Sequence, residues 1–519
     1  MSSIHLYPIW FRQGWDADRG PNTCTPNEGI GDVSSSADFG TGITVNQEIF
    51  KDDWELIVGL EVHVELATQT KLFCGCLNQF GSEPNTNVCP VCLGLPGSLP
   101  VVNETAVYFA MRLGRALRCS VNRSVFARKN YFYPDMPKDY QISQYDLPTN
   151  LDGYLELPTG ESIGIERAHI EEDTGKTTHI GTSGRISGSD YSLVDYNRAG
   201  IPLIEIVSKP EIRTIEQAKA YVSELRGIIL ALEISDAKME EGSIRVDANV
   251  SVREIGEDNL RTRCEIKNVN SLKSLGRAIE YEANRHISLY GNGESPKQET
   301  RHWDEDAGRT RSGRSKEDAE DYRYFTEPDL VPLNPSKEIV TKIDQEMPEL
   351  PSERRGKLAN LNGVKLNDVA LLVERNHDAF ALDAIKVGGE PEQVVKHLVN
   401  NLSDGLGELT TEALAQLVQM ENKSEITSTQ AKKMLGELVL RGGIPSDLAT
   451  ELGFEAVSVK DLENLVDQLI NEHTNEWERF CSGDTKVQGF FVGQVMKSTS
   501  GQADGKAINK ILNERSTNK

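Results

Sequence analysis

The sequence predicts an α+β protein in which a sheet with one polar face is followed by an all-helical second half. Two stretches, 59–66 and 244–253, alternate strictly between apolar and polar residues, as strands with one buried face do. From residue 346 onward the pattern becomes helical, with abundant Asp, Glu and Leu. A domain boundary near residue 345 is indicated by three closely spaced prolines, Pro328, Pro332 and Pro335.

Length and composition indicate a globular protein of several domains. A chain of 519 residues is expected to fold into about two to four domains. No window is apolar enough to span a membrane, and the N-terminus lacks the features of a signal peptide, so we expect a cytoplasmic protein. The net charge of −24 disfavours broad attraction to nucleic acid, so RNA binding would require local basic patches or a metal.

Residues 1–53 are predicted to be a poorly ordered N-terminal extension, because they lack apolar periodicity and contain the Ser run 34–36 and the Gly-rich run 39–42. The aromatic residues at the start of this segment are unusual for a disordered chain. They leave open a docking peptide or a wrongly included upstream start.

The stretch 59–66 places Glu61, His63 and Glu65 on one face of its strand and apolar side chains on the other. Three such groups in a row are costly to desolvate unless a positive charge lies beside them, and a divalent metal ion would supply it. The alternative is a solvated strand face with accidental charges.

Four of the eight cysteines cluster as two short pairs, Cys74 with Cys76 and Cys89 with Cys92. Paired thiols on two turns can close a tetrahedral Zn²⁺ site, which would be structural because four thiolates leave no open coordination position. Four separate, reduced thiols are the alternative.

A basic and aromatic segment follows a predicted core helix over 102–119. Residues 128–135 read Arg-Lys-Asn-Tyr-Phe-Tyr-Pro-Asp, and Tyr-Gln-Ile-Ser-Gln-Tyr-Asp occupies 140–146. Aromatic, basic and amide groups in this mixture can hold a nucleotide or a tRNA end by stacking and phosphate contact. An edge strand and turn with packed tyrosines explains the pattern equally well.

The segment 163–176 also supplies polar groups on a strand face. In 163–176, Arg167, His169 and Glu171 share a face and are followed at once by Glu172 and Asp173. The Gly-Lys-Thr at 175–177 is not a phosphate-binding loop, because that motif requires a glycine where Ile170 stands.

The stretch 244–253 places Arg245, Asp247 and Asn249 on one face, and 263–268 places Glu265 beside Lys267. Because several strands each combine an apolar face with a face of acids and arginines, we expect a functional concave sheet with helices behind it. Residues 297–325 are charged and polar and are expected to form a loop crossing that face.

The C-terminal segment differs in charge from the rest of this acidic chain. From Lys486 to Lys519 it contains six basic and two acidic residues. A small basic helical tail of this kind can contact RNA phosphates. The alternative is a solvated helix face.

Taken together, these motifs resemble the B subunit of tRNA-dependent amidotransferases, from about residue 54 to near the C-terminus. The resemblance lies in the stretch 59–66, the cysteine pairs, and the segments 128–135, 169–176, 239–243 and 493–497. It implies a mainly antiparallel cradle domain over 54–345 with a zinc knuckle, a helical domain over 346–440, and a small helical tRNA-binding tail over 441–519.

The resemblance also implies an activity, that of a carbon–nitrogen ligase with glutamine as the nitrogen donor. ATP phosphorylates the side-chain carboxylate of misacylated Glu-tRNA(Gln) or Asp-tRNA(Asn), and ammonia then displaces the phosphate. The sequence leaves open whether one of these tRNAs or both are used. No amidase signature with a catalytic Ser–Ser–Lys set is present, so ammonia must come from a partner. The resemblance implies an amidase A subunit and a small C subunit in a heterotrimer.

By motif position, the catalytic set is Glu61, His63, Glu171, Glu172, Asp247 and Glu265. All of these except Glu171, which lies nearby, are expected to hold Mg²⁺, although histidine is a less usual ligand for that ion. Arg245 is expected to support phosphate, and Lys129 to line or gate the ammonia path.

Two other classes of function compete with this interpretation. One is a zinc-stabilised tRNA-binding or assembly module without chemistry of its own. A module that only binds RNA would not require five acids close together, because acids repel phosphate unless a metal is present. The other is a generic metallophosphohydrolase, which leaves the tail and the zinc knuckle unexplained.

Overall fold

A computed structural model describes most of the chain beyond the N-terminal region. The described residues are 53–181, 189–313, 322–361, 363–402, 405–454, 459–482, 484–499 and 505–517. The extension predicted over 1–53 lies, apart from its last residue, outside them.

The described strands lie in the first two thirds of the chain. They are β1 (Trp54–Glu65), β2 (Ser120–Val121), β3 (Ala127–Asn130), β4 (Tyr140–Ser143), β5 (Asn150–Glu156), β6 (Ser162–Glu172), β7 (Lys176–Gly181), β8 (Ser189–Asp195), β9 (Pro202–Ser208), β10 (Ile244–Glu254), β11 (Cys264–Val269), β12 (Thr300–Asp304), β13 (Arg309–Ser312) and β14 (Phe325–Thr326).

Three helices are interleaved with these strands, and the other described helices follow them. The helices are α1 (Glu104–Ala116), α2 (Ile215–Ala231), α3 (Leu272–Gly291), α4 (Lys337–Gln345), α5 (Pro351–Ala359), α6 (Leu366–Glu374), α7 (Asp378–Lys386), α8 (Pro391–Asn401), α9 (Thr411–Asn422), α10 (Ser428–Arg441), α11 (Pro445–Glu451), α12 (Val459–Glu472), α13 (Thr474–Cys481), α14 (Gln488–Ser498) and α15 (Gly505–Thr517).

Nine of the described strands form one sheet in the order β13-β12-β11-β10-β1-β9-β6-β5-β2. Only β11 and β12 pair in parallel; the other neighbours in this sheet are antiparallel. Two small sheets, β14-β3-β4 and β7-β8, complete the described strands. The predicted α+β class with a large, mainly antiparallel sheet is therefore confirmed.

The two faces of the large sheet differ in chemistry. On β1, Leu60, Val62 and Val64 are fully buried, and they share one hydrophobic core with the inner faces of α1, α2 and α3. The first N–H groups of a helix have no partner within the helix, so side chains at its start accept their hydrogen bonds. On α2, for example, Thr214 and Gln217 form a capping box. Since the helices cover the apolar face, the polar residues of β1 lie on the opposite one.

The C-terminal helices pack in two further hydrophobic clusters. One extends from Leu358 to Ala449 and the other from Leu462 to Leu512. Because Leu448 and Ala449 of α11 belong to the first of these clusters, the boundary predicted at 440/441 falls inside a packed core. The helical C-terminal half itself is confirmed.

The loop expected over 297–325 is corrected in part, because β12 and β13 form an antiparallel hairpin at the sheet edge. The sequence of this hairpin shows little alternation between polar and apolar residues. Arg309 and Arg311 are exposed, and the buried positions Asp304 and Thr310 are also polar. Residues 314–321 of the expected loop lie outside the described residues.

Among the helices that the structure describes, we find none with the length and apolar composition needed to cross a lipid bilayer.

Candidate active site

Strand β1 lies between β10 and β9, and this position brings polar groups from three strands together. In the register with β10, Glu61 lies opposite Asp247, and His63 lies opposite Arg245. On the other side, His63 lies opposite Glu205 of β9. Directly paired residues on one face have neighbouring side chains, so His63 has polar neighbours on both sides, while Glu61 has its polar partner on β10 and Val207 on β9.

The first group is the carboxylate cluster, formed by Glu61, Asp247 and Glu265. One oxygen from each side chain lies within 4.8 Å of the others, and Asp247 and Glu265 are largely buried. Three carboxylates this close repel one another unless a cation balances them. Oxygen donors of this kind are the ligands that Mg²⁺ prefers, so the cluster fits a magnesium ion.

Neighbouring side chains hold the carboxylate cluster in place. Lys267 Nζ lies 2.8 Å from Asp247 Oδ2 and 3.6 Å from Glu265 Oε1. Burial opposes the charge of Lys267, but the acids around it raise its pKa above the usual range. Asn249 Nδ2 donates to Glu61 Oε1 at 2.8 Å, and Thr300 Oγ1 donates to Glu265 Oε2 at 2.7 Å. Each acid therefore keeps a fixed orientation.

The second group is the histidine cluster, formed by His63, Glu171 and Glu205. His63 Nε2 lies 3.4 Å from Glu205 Oε2 and 3.7 Å from Glu171 Oε1. Burial opposes protonation of His63, yet the hydrogen bond and charge of Glu205, with the charge of Glu171, raise its pKa to about 9. Metal binding here would require His63 to lose that proton, because only a neutral imidazole ligates a metal ion.

Burial also shifts the pKa values of Glu171 and His169. Burial and the charge of Glu205 raise the pKa of Glu171 to about 7. Burial lowers the pKa of His169 to about 4, although Glu205 lies 3.6 Å from its Nε2. The acids therefore favour the protonated form of His63, whereas burial favours the neutral form of the neighbouring His169.

Glu205 was missed by the sequence analysis. It is the single acid in the apolar strand 201–207, where no alternation marks a polar face. The signal that identifies it is the register, which places it opposite both His63 and His169. It cannot be read from local sequence, because it depends on which distant strands pair.

Glu172, a predicted metal ligand, is not brought together with the other acids. Successive strand residues point to opposite faces, and Glu172 follows Glu171 directly. Its Oε1 forms an ion pair with Lys138 and accepts a 2.8 Å hydrogen bond from Ile142 N on β4. The carboxylate is buried, and both donors bind the same oxygen.

Arg245, predicted to support phosphate, lies at one end of the polar face. Its Nη2 is 2.8 Å from Asp173 Oδ2, and Arg198 Nε is 3.4 Å from the same oxygen. Burial and the charge of Asp173 raise the pKa of the adjacent Glu65 to about 7. The buried Nε of Arg245 has no hydrogen-bond partner among the described residues, so the guanidinium retains a donor.

Lys129 connects the histidine cluster to a group of aromatic rings. Its Nζ lies 4.9 Å from the centre of the Tyr322 ring. Burial opposes the charge of Lys129, while Tyr324, Glu171 and Glu205 raise its pKa. Tyr324 in turn stacks on Tyr145 with ring centres 4.2 Å apart.

The four predicted cysteine ligands are brought together, with their sulfur atoms within 4.8 Å of one another. Cys92 Sγ lies 3.7 Å from Cys89 Sγ and 4.0 Å from Cys76 Sγ. Sulfurs at the corners of a tetrahedral zinc site with bonds of about 2.3 Å would be about 3.8 Å apart. The cluster therefore fits a tetrahedral metal ion.

Comparisons with known proteins identify the family to which this chain is similar. A family model described as "GatB/GatE catalytic domain" matches residues 56–341, and one described as "GatB domain" matches 384–515. The chain is 44% identical over 482 residues to a protein from Acaryochloris marina, covering 89% of this chain and 97% of that one. It is 46% identical over 494 residues to one from Bifidobacterium animalis subsp. lactis, covering 89% and 97%. Both relatives are B subunits of aspartyl/glutamyl-tRNA(Asn/Gln) amidotransferases.

Proposed function

This chain belongs to the family of aspartyl/glutamyl-tRNA(Asn/Gln) amidotransferase B subunits, and we propose that it carries the ATP-dependent step of tRNA-dependent amidation. In this proposal the enzyme phosphorylates the side-chain carboxylate of misacylated Glu-tRNA(Gln), Asp-tRNA(Asn) or both. Ammonia then replaces the phosphate and leaves Gln-tRNA or Asn-tRNA. Phosphorylation is needed because a carboxylate is a poor acyl donor without a good leaving group.

The observation that carries the proposal is the pair of acid-rich clusters side by side on β1. Transfer of a phosphoryl group depends on positioning and charge neutralisation more than on covalent help from the protein. A passive RNA-binding surface would not gather buried acids, since they repel phosphate unless a cation balances them. The carboxylate cluster therefore favours phosphoryl transfer over binding alone.

Glu61, Asp247 and Glu265 would hold Mg²⁺, with His63, Glu171 and Glu205 beside them for a second ion or for substrate. These residues would hold the ion through their carboxylate oxygens, and the chemistry it would supply is neutralisation of phosphate charge. We leave Glu172 out of the ligand set because it follows Glu171 directly on the strand and so points to the opposite face, where it pairs with Lys138.

The chain's basic groups suit the remaining tasks of binding and orientation. Arg245, held by Asp173 with its Nε still free, would orient a phosphate group of ATP. Lys129, between Tyr322 and the acids Glu171 and Glu205, would line the ammonia path. Ammonia would come from an amidase A subunit, with a small C subunit completing a cytoplasmic heterotrimer.

The cysteine cluster would hold one structural Zn²⁺, since four thiolates leave no position open for substrate. We propose a cradle domain over 54–345 and a helical domain that extends through α11, because Leu448 and Ala449 pack with it. A separate tail would begin with α12, whose Leu462 lies in the last hydrophobic cluster.

The tail is proposed to contact tRNA phosphates through exposed lysines such as Lys497. Replacing Lys497 by glutamine should weaken tRNA binding a few-fold and lower the slope of log Kd against log salt by about one. Filter binding or fluorescence titration at several salt concentrations measures both. Lys238→Gln, an equal charge change on the cradle, is the control, and an unchanged slope for Lys497→Gln would contradict the assignment.

The proposed function is tested by reconstituting the chain with its amidase and small partner subunits. We expect the complex to convert Glu-tRNA(Gln) or Asp-tRNA(Asn) to the amide only when ATP and Mg²⁺ are present, with ADP formed in step. Assays with each tRNA separately identify the substrate. Amide formation without ATP, or tRNA binding without any ATP turnover, would refute the proposal.

A further inference from the structure

A pocket of about 380 Å³ lies at the turn that connects β3 to β4. This volume is within the range of about 300–1,000 Å³ found for small-ligand sites. Most of its lining is aromatic or proline, namely Phe132, Tyr133, Pro134, Pro137 and Tyr196, and Met136 adds a further apolar side chain. Phe132 is 71% exposed, so it contributes little to any core.

The walls of this pocket are held rigidly. Tyr131 and Tyr133 stack with ring centres 5.1 Å apart and an interplanar angle of 14°. The Tyr196 hydroxyl donates to Pro134 O at 2.7 Å and so fixes the opposite wall. The exposed Phe132 therefore stands beside an ordered ring without packing against the protein interior, an arrangement suited to stacking a flat ligand.

Two routes connect this pocket to the candidate active site. Gly175 N donates to Asp135 O at 2.7 Å, and two residues before Gly175 lies Asp173, which binds Arg245. On the other side, β3 carries Lys129, whose charge interacts with Glu171 of the histidine cluster. One short segment thus links the pocket to the pair Asp173 and Arg245, and another links it to the histidine cluster.

We propose that this pocket binds the unpaired 3′-terminal nucleoside of the aminoacyl-tRNA, with its base stacked on Phe132 and Tyr133. The inference rests on the proposed function, because the amino acid of an aminoacyl-tRNA is esterified to the ribose of that nucleoside. If the carboxylate of the amino acid lies at the acid clusters, the terminal base must lie no farther from them than the length of one nucleoside. Aromatic side chains are the usual platform for unstacked bases, and Asp139 at the pocket can accept a hydrogen bond from a base amino group or a ribose hydroxyl.

The test is the steady-state kinetics of the reconstituted complex with Phe132→Ala. We expect the KM for aminoacyl-tRNA to rise roughly 10- to 100-fold with kcat unchanged, because stacking binds substrate and transition state equally. The KM for ATP should stay the same, and Phe132→Trp should restore tRNA affinity. Phe80→Ala, which removes an equally large ring that is 92% exposed elsewhere, is the control.

A substrate lacking its terminal base separates stacking from other effects. Wild-type enzyme should lose about the same factor with a substrate abasic at its 3′-terminal position, and Phe132→Ala should lose nothing further. An unchanged KM in Phe132→Ala, or equal added losses with the abasic substrate, would overturn the pocket assignment. No ATP-dependent amidation by the wild-type complex would instead refute the proposed function, so the two failures are distinguishable.

Discussion

Replacing Asp247 by asparagine should reduce ATP-dependent phosphorylation of the misacylated tRNA by roughly a hundredfold to a thousandfold. Asparagine has nearly the same shape and can still accept a hydrogen bond from Lys267 Nζ, now 2.8 Å from Asp247 Oδ2. It removes one negative charge from the carboxylate cluster and so weakens the site for a divalent ion. ADP formation by the reconstituted complex measures the effect, and the partner's glutaminase activity should be unaffected.

Two measurements separate a lost metal site from a damaged fold. Glu254→Gln alters an exposed acid on the same strand that pairs with Arg261, and it should leave the rate unchanged. Raising the Mg²⁺ concentration should partly restore Asp247→Asn, since its expected defect is in ion affinity. If Asp247→Asn phosphorylates substrate at the wild-type rate, the carboxylate cluster is not the magnesium site.

Replacing Cys89 and Cys92 together by alanine should abolish metal binding by the cysteine cluster. The wild-type chain is expected to contain about one zinc ion, and the variant close to none. A structural metal contributes directly to folding, so the midpoint of thermal unfolding should fall by roughly 10 °C. Elemental analysis and a thermal melt of the purified chain measure the two effects.

Cys481 supplies the matched control, because it is an exposed free cysteine on α13, outside the cluster. Cys481→Ala should retain both the zinc and the melting temperature of the wild type. A wild-type protein that contains no metal and melts at the temperature of the Cys89/Cys92 variant would show that the cysteines are four separate thiols.

Much of the fold could be predicted because local sequence carries the pattern of burial. The strict alternation over 59–66 and 244–253 corresponds to β1 and β10, and the helical spacing over 102–119 to α1. The same alternation placed Glu61, Asp247 and Glu265 on polar faces, and the structure brings these three together.

Other features depend on long-range pairing and could not be predicted from a single stretch. Glu205 joins the site only because β9 pairs with both β1 and β6. Glu172 was included in the predicted catalytic set with Glu171 by motif position. The two residues are adjacent on a strand, so their side chains point to opposite faces. The polar hairpin of β12 and β13 carries too few apolar residues to be distinguished from a loop.

The central position of β1 has a consequence for how the chain is made. Glu61 and Asn249 are hydrogen-bonded yet 188 residues apart in sequence, so β1 leaves the ribosome long before its partner β10. Pairings this distant form slowly, and until β10 is made one edge of this largely hydrophobic strand is unpaired. Glu61, His63 and Glu65 interrupt that hydrophobic run with charge, which is how strands resist premature association. The residues proposed for catalysis would thus also protect the nascent strand from aggregation.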